Sequence, residues 1–139
     1  MGYYLGRGVE QSYPEAYSRF LELATNGSAD AQLCLGLCYF NGWGCEQSFP
    51  KATEWLRKAA DQDVAEAEYR LGRMYLSGIG VEQSIDEAAR LLKQASDNLH
   101  KDAGEWLMEL VNGGIVGEEY EKTAITNLAY HKIFDKPSK

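Results

Sequence analysis

Apolar residues fall at helical spacing in blocks that return along this chain. Ala31-Gln-Leu-Cys-Leu-Gly-Leu-Cys-Tyr-Phe and its echo Ala67-Glu-Tyr-Arg-Leu-Gly-Arg-Met-Tyr-Leu each carry apolar stripes, and Gly42 and Gly78 stand where a helix-ending glycine belongs. A second helix follows each block, and the pattern predicts such helices over 14–25, 50–61, 85–97 and 120–134. Ser12-x-x-Glu15 and Ser84-x-x-Glu87 read as capping boxes, in which Ser covers a free N–H of the first turn while Glu reaches back. Lys51 takes the Glu position after Ser48, so that box is lost. Pro14 and Pro50 fall in a first turn, where a missing N–H costs little.

Packing can be read from the same positions. Ala52, Ala59, Ala60, Ala88 and Ala95 let helices approach closely, with Trp55, Leu56, Leu91 and Leu92 filling the space between. Gly36 and Gly72 lie inside the first helices, where Gly costs about 1 kcal/mol against Ala. Two copies at one register predict a neighbouring helix against the backbone there.

The blocks belong to a longer repeat. Gly6-Arg-Gly-Val-Glu-Gln-Ser12, Gly42-Trp-Gly-Cys-Glu-Gln-Ser48 and Gly78-Ile-Gly-Val-Glu-Gln-Ser84 are one turn written three times at an offset of 36 residues. Ala16, Ala52, Ala88 and Ala124 keep that offset, as do Ala31, Ala67 and Ala103, and Gly114 with Glu118 opens a fourth, imperfect copy. Equal units without insertions predict a stack in which each unit packs on its neighbours and presents a continuous surface to partners.

The run Ala67-Glu68, Leu71-Gly72, Met74-Tyr75, Gly78-x-Gly80-Val81-x-Gln83, Ala88, Leu91-Leu92 and Ala95 resembles the Sel1-like repeat, a relative of the tetratricopeptide repeat. The resemblance implies an all-α fold: a right-handed superhelical solenoid of antiparallel helix pairs, about three and a half repeats long, whose first helices line the concave side. It also implies an adaptor that binds proteins and catalyses nothing. The expected organisation is a single repeat domain over 1–134, followed by a frayed tail over 135–139. Within the domain, 1–29 is a partial repeat, 30–65 and 66–101 are full repeats, and 102–134 is a degenerate capping repeat, in which Met108 replaces the internal glycine. Tyr3 aligns with Tyr39, so the opening unit lacks most of its first helix, and a homodimer through that incomplete edge is one expectation.

Charge and composition narrow the partner. The formal net charge of −7 argues against nucleic acid and anionic membrane, both of which require clustered Lys and Arg. No stretch approaches the roughly 18 apolar residues of a membrane helix. Met1-Gly2-Tyr3-Tyr4-Leu5 lacks the regions of a signal peptide, which makes the cytoplasm the default location.

Candidate chemistry is sparse. Cys38 and Cys45 align with Met74 and Val81 and read as small buried thiols, while Cys34 aligns with Arg70 and is expected to be open and the one to react. The two histidines, His100 and His131, have no helical pairing, so no metal site is expected. The Gly-x-Gly turns lack the further residues of a nucleotide loop and recur in every unit, so no cofactor is expected either. No acid, base and nucleophile converge, and the chain reads as a non-enzyme. A hydrolase acting on cell-wall or β-lactam substrates is the weakest reading, because relatives linked to penicillin binding carry cysteines in every repeat and this chain does not.

Helical angles leave one arc of each first helix open. It holds Cys34, Leu37 and Asn41, then Arg70, Arg73 and Ser77, then Trp106, Glu109 and Gly113. This stripe is expected to grip an acidic and apolar protein or peptide segment, with Arg70 and Arg73 orienting carboxylates and Leu37 or Trp106 supplying buried area. Trp106 alternatively folds under as core, and the arginines alternatively pair with Glu66 or Glu68. The functional readings are a general scaffold or adaptor and, beside it, a dedicated inhibitor or immunity protein for one partner.

Overall fold

The computed structural model describes residues 9–135, with side chains from Tyr13 onward. Seven α-helices follow one another there: α1 (Val9–Thr25), α2 (Ala29–Asn41), α3 (Phe49–Ala60), α4 (Ala65–Ser77), α5 (Ile85–Asp97), α6 (Lys101–Asn112) and α7 (Glu121–Phe134). A 3-10 turn, Glu118–Tyr120, precedes the last, and there is no strand among the described residues. The chain forms two compact units that divide between Val64 and Ala65, a boundary of the 36-residue period.

The recurring turn closes each helix pair by satisfying its own polar groups. Gly42 and Gly78 take left-handed φ of 72° and 71°, which allows Trp43 N–H to reach the Cys38 carbonyl at 2.9 Å and Ile79 N–H to reach that of Met74 at 3.0 Å. Gln47 and Gln83 then donate side-chain N–H groups back to the carbonyls of Phe40 and Leu76, at 2.8 and 2.7 Å. Ser48 and Ser84 turn the chain into the next helix: their N–H groups donate to Tyr39 and Tyr75, and their hydroxyls accept from the N–H groups of Lys51 and Glu87. The first Gly, the Gln and the Ser of the motif thus each have a geometric task, and the second Gly, at Gly44 and Gly80, also takes a left-handed φ of 76°. The other half of the Ser84 box takes a different course, since the Glu87 carboxylate pairs with Arg90.

The first unit packs α1 and α3 on α2 around Ala31, Leu35, Ala52 and Leu56. A Cβ on Gly36 would lie 2.8 Å from Leu56 Cγ, so the expected close approach is real. Gly44 is equally confined, because a Cβ there would come within 2.2 Å of the Tyr13 carbonyl oxygen on α1. The second unit repeats the arrangement with Gly72 against Leu92, slightly looser at 3.2 Å. Ala52, Ala88 and Ala124 are each fully buried at the same register.

Several expectations need correction. α1 begins at Val9 rather than at residue 14 and carries Pro14 inside it, so Ser12 lies within the helix and is not its cap. Proline has no N–H to donate, so the helix forfeits one backbone bond there. Trp55 is half-buried with the Lys58 ammonium over its ring at 5.5 Å, and does not fill the core. The side chain of Ser12, the alignment of Tyr3 and the tail beyond Asp135 lie outside the described residues.

The last repeat keeps its turn and changes its packing. Gly114 holds φ 69° and Ile115 N–H donates to Leu110 at 2.9 Å, as in the earlier turns. With Met108 at the glycine register, the close approach moves to Gly104, where a Cβ would meet Asn127 Oδ1 at 2.1 Å. Asn127 is buried and donates to the carbonyls of Ser96 and His100 at 3.0 and 3.1 Å, tying α7 to the junction of α5 and α6.

Candidate partner-binding face

In the first unit the expected stripe residues are Cys34 and Leu37, both half-buried, and Asn41, which is exposed and donates to the Leu37 carbonyl at 3.0 Å. Cys34 is not the open thiol expected from its alignment with Arg70. Burial, and then the Asp30 charge, push its pKa upward, which keeps it protonated and slow to react. Burial likewise pushes the Cys38 thiol up to about 12, helped by the neighbouring Cys45 and Cys34.

In the second unit Arg70, Arg73, Ser77, Glu109 and Gly113 are exposed. Trp106 is half-buried and packs its ring against the core cluster of Tyr69, Leu92, Ala103, Leu107 and Ala124. Its remaining surface faces Arg73, whose guanidinium carbon lies 5.1 Å from the Trp106 ring centroid. The same guanidinium is 5.7 Å from the Tyr69 centroid and donates from Nη1 to the Tyr69 hydroxyl at 3.3 Å. The two alternatives for Trp106 therefore meet in one side chain: one part is core, the rest is a platform for a cation.

The arginines divide their work. Arg70 Nε donates to Glu66 at 2.6 Å, the expected pairing along one helix. Arg73 forms no ion pair among the described residues, and Glu68 is buried, accepting from Asn98 Nδ2 at 3.0 Å. Nη1 serves the Tyr69 hydroxyl, and a guanidinium keeps further N–H donors in a fork that suits a carboxylate.

Behind this cation stands His100, whose spacing in the sequence shows no partner. His100 stacks on Tyr69 with centroids 4.4 Å apart, caps α6 by accepting from Ala103 N–H at Nδ1, and meets Glu66 through Nε2 at 2.7 Å. Because Nδ1 accepts, the proton resides on Nε2 and is donated to the carboxylate. Burial raises the Glu66 pKa, but the hydrogen bonds of His100 and Arg70 outweigh it and hold the carboxyl below its ordinary value. Glu66, His100, Tyr69, Arg73 and Trp106 thus form a connected series across α4 and α6. The period did offer one hint: His100 falls at the register of Ser28, which caps α2 in the same way.

Among the described residues no group of three His, Cys, Asp or Glu side chains is placed to hold a metal ion, and no helix is long and apolar enough to cross a membrane.

A family model described as the Sel1 repeat matches residues 1–27, 29–64 and 65–98. Among solved structures, a Sel1 repeat protein from Oxalobacter formigenes is similar over 86% of this chain at 26% identity and a TM-score of 0.78. A protective antigen present in uropathogenic Escherichia coli strains, displaying an SLR fold, is similar over 94% at 22% identity and a TM-score of 0.72. This chain spans 51% and 30% of the lengths of those two proteins. No curated protein matches it.

Proposed function

Because the chain belongs to the Sel1 repeat family, whose fold is typically a non-enzymatic protein-interaction scaffold, we propose that it holds a partner protein or peptide on the face carrying Arg70, Arg73, Ser77, Trp106 and Glu109. The partner segment offers a carboxylate to Arg73 and an apolar side chain to the exposed part of Trp106. The observation that carries this reading is the placement of Arg73: a cation with no carboxylate paired to it among the described residues, held against two rings, in a chain of net charge −7. Fixing a guanidinium before binding lowers the side-chain entropy lost on association, and Arg and Trp are the residue types that most often anchor interfaces.

The test uses wild-type chain and an Arg70→Glu/Arg73→Glu variant as bait against the same native extract, with circular dichroism and melting run in parallel. The reading expects retained partners to be lost from the variant while helicity and melting stay unchanged. Equal retention by both chains rejects this face as the binding surface.

A further inference from the structure

The outer side of α7 breaks the chemistry of its own register. Ala129, Tyr130, Ile133 and Phe134 occupy the positions held at the end of α5 and just after it by Lys93, Gln94, Asp97 and Asn98, and at the end of α3 and just after it by Arg57, Lys58, Asp61 and Gln62. Polar and charged residues in the two earlier copies have become apolar in the third. The result is an exposed stripe: Tyr130 is 36% exposed, Ile133 60% and Phe134 67%, with Ile125 50% exposed one turn before Ala129. Tyr130 and Phe134 lean on each other with centroids 4.7 Å apart and continue the stripe round the helix.

A further repeat stacked after α7 does not account for this stripe. α5 is followed by α6 and α7 in the same unit, yet Gln94, Asp97 and Asn98 remain exposed and Lys93 only half-buried. These register positions point away from the next repeat, so whatever covers them on α7 comes from outside the stack.

We propose that the occupant is a second copy of this chain, with α7 paired antiparallel to α7 about a two-fold axis. A stripe along one helix is self-complementary under that symmetry, and the small Ala129 near its middle allows close approach. Charge favours the antiparallel sense: residues 118–124 hold three glutamates and one lysine, whereas residues 132–135 hold one lysine and one aspartate. Pairing head to tail keeps the two acidic ends apart, whereas the parallel arrangement sets them against each other. Covering every exposed part of the two stripes would bury at most about 1,000 Å², the low end for a specific interface, so the dimer is of modest affinity and depends on concentration.

The experiment is sedimentation of the full chain over a wide concentration range, beside an Ile133→Asp/Phe134→Asn variant that restores the residue types α5 carries in this register. The wild type is expected to approach twice the chain mass as concentration rises, and the variant to stay at the single-chain mass with unchanged helicity. A wild type that remains single at every concentration overturns the proposal, and so does a dimer that persists in the variant. If the wild type is single but binds a different protein that the variant fails to bind, the stripe belongs to that protein and self-pairing is rejected.

Discussion

Arg73 lays its guanidinium over the indole of Trp106, 5.1 Å from the ring centroid. The pair joins a core residue to an open face, so each partner can be altered for a different purpose. Arg73→Lys keeps the charge but loses the flat fork that stacks on the ring and meets a carboxylate in plane. It should therefore weaken partner binding nearly as much as Arg73→Ala, about tenfold for each if the anchor is worth 1–2 kcal/mol. Stability should change by at most about 1 kcal/mol, as befits an exposed cation–π contact. Binding isotherms and denaturation of both variants check the two statements separately.

Gly36 and Gly72 occupy one register but differ in clearance. Gly36→Ala brings a methyl to within 2.8 Å of Leu56 Cγ, a side chain with no exposed surface, whereas Gly72→Ala meets Leu92 at 3.2 Å. Overpacking costs of about 1–3 kcal/mol set against roughly 1 kcal/mol of helix propensity predict a clear loss for Gly36→Ala and a near-neutral result for Gly72→Ala. Thermal melting of the two variants should rank them in that order.

Asn127 offers a different kind of test, because it replaces apolar packing with two hydrogen bonds. Asn127→Ala leaves the buried carbonyls of Ser96 and His100 without that donor and opens space beside Gly104, which should cost about 1–3 kcal/mol. Hydrogen exchange should show the loss first in α7. Uniform loosening of all helices would contradict the local role.

The carboxyl of Glu66 sets an acid-side dependence. Its pKa is lowered in the folded chain, so the unfolded chain takes up the proton first as pH falls. The contribution is whole above the ordinary value near 4.5 and disappears as pH drops through the folded value. Denaturation midpoints between neutral pH and pH below that range should fall less steeply for Glu66→Gln than for the wild type.

The thiols set the opposite limit. Cys38, raised to about 12, stays protonated in the folded chain where the unfolded chain ionises near 9.0, so its contribution is present below 9.0 and is lost as pH rises toward 12. Burial also raises the Tyr39 hydroxyl, which shares a 2.8 Å hydrogen bond with Tyr17. Stability should fall in alkali, and at neutral pH Cys34 and Cys38 should react with a disulfide reagent more slowly in the native than in the denatured chain. Fast native labelling of Cys34 would contradict its burial.

What the sequence disclosed was whatever it stated more than once. The Gly-x-Gly-x-Glu-Gln-Ser turn, the close approach at Gly36 and Gly72 and the buried alanine register were readable because each recurs at 36 residues and each copy tests the others. The start of α1 is not legible because Pro14 has the marks of a first-turn residue, while the helix continues back through it to Val9. His100, Asn127 and the Arg73 stack were hidden for a common reason: each acts once, through a neighbour distant in sequence, and leaves no period to detect. The polar pairs Gln32 with Gln62 and Glu68 with Asn98 did recur at the offset, but Gln and Asn at surface-like positions give no sign that they join a helix to a loop.

The turn with Gln47 and Gln83 bears on how a protein of this kind is lengthened. A junction that answers its own donors and acceptors makes no demand on whatever is joined after it. Duplicating 36 residues therefore duplicates a finished joint, and the first helix of each new copy is free to acquire its own residues, as Leu37 and Arg73 already differ at one shared register.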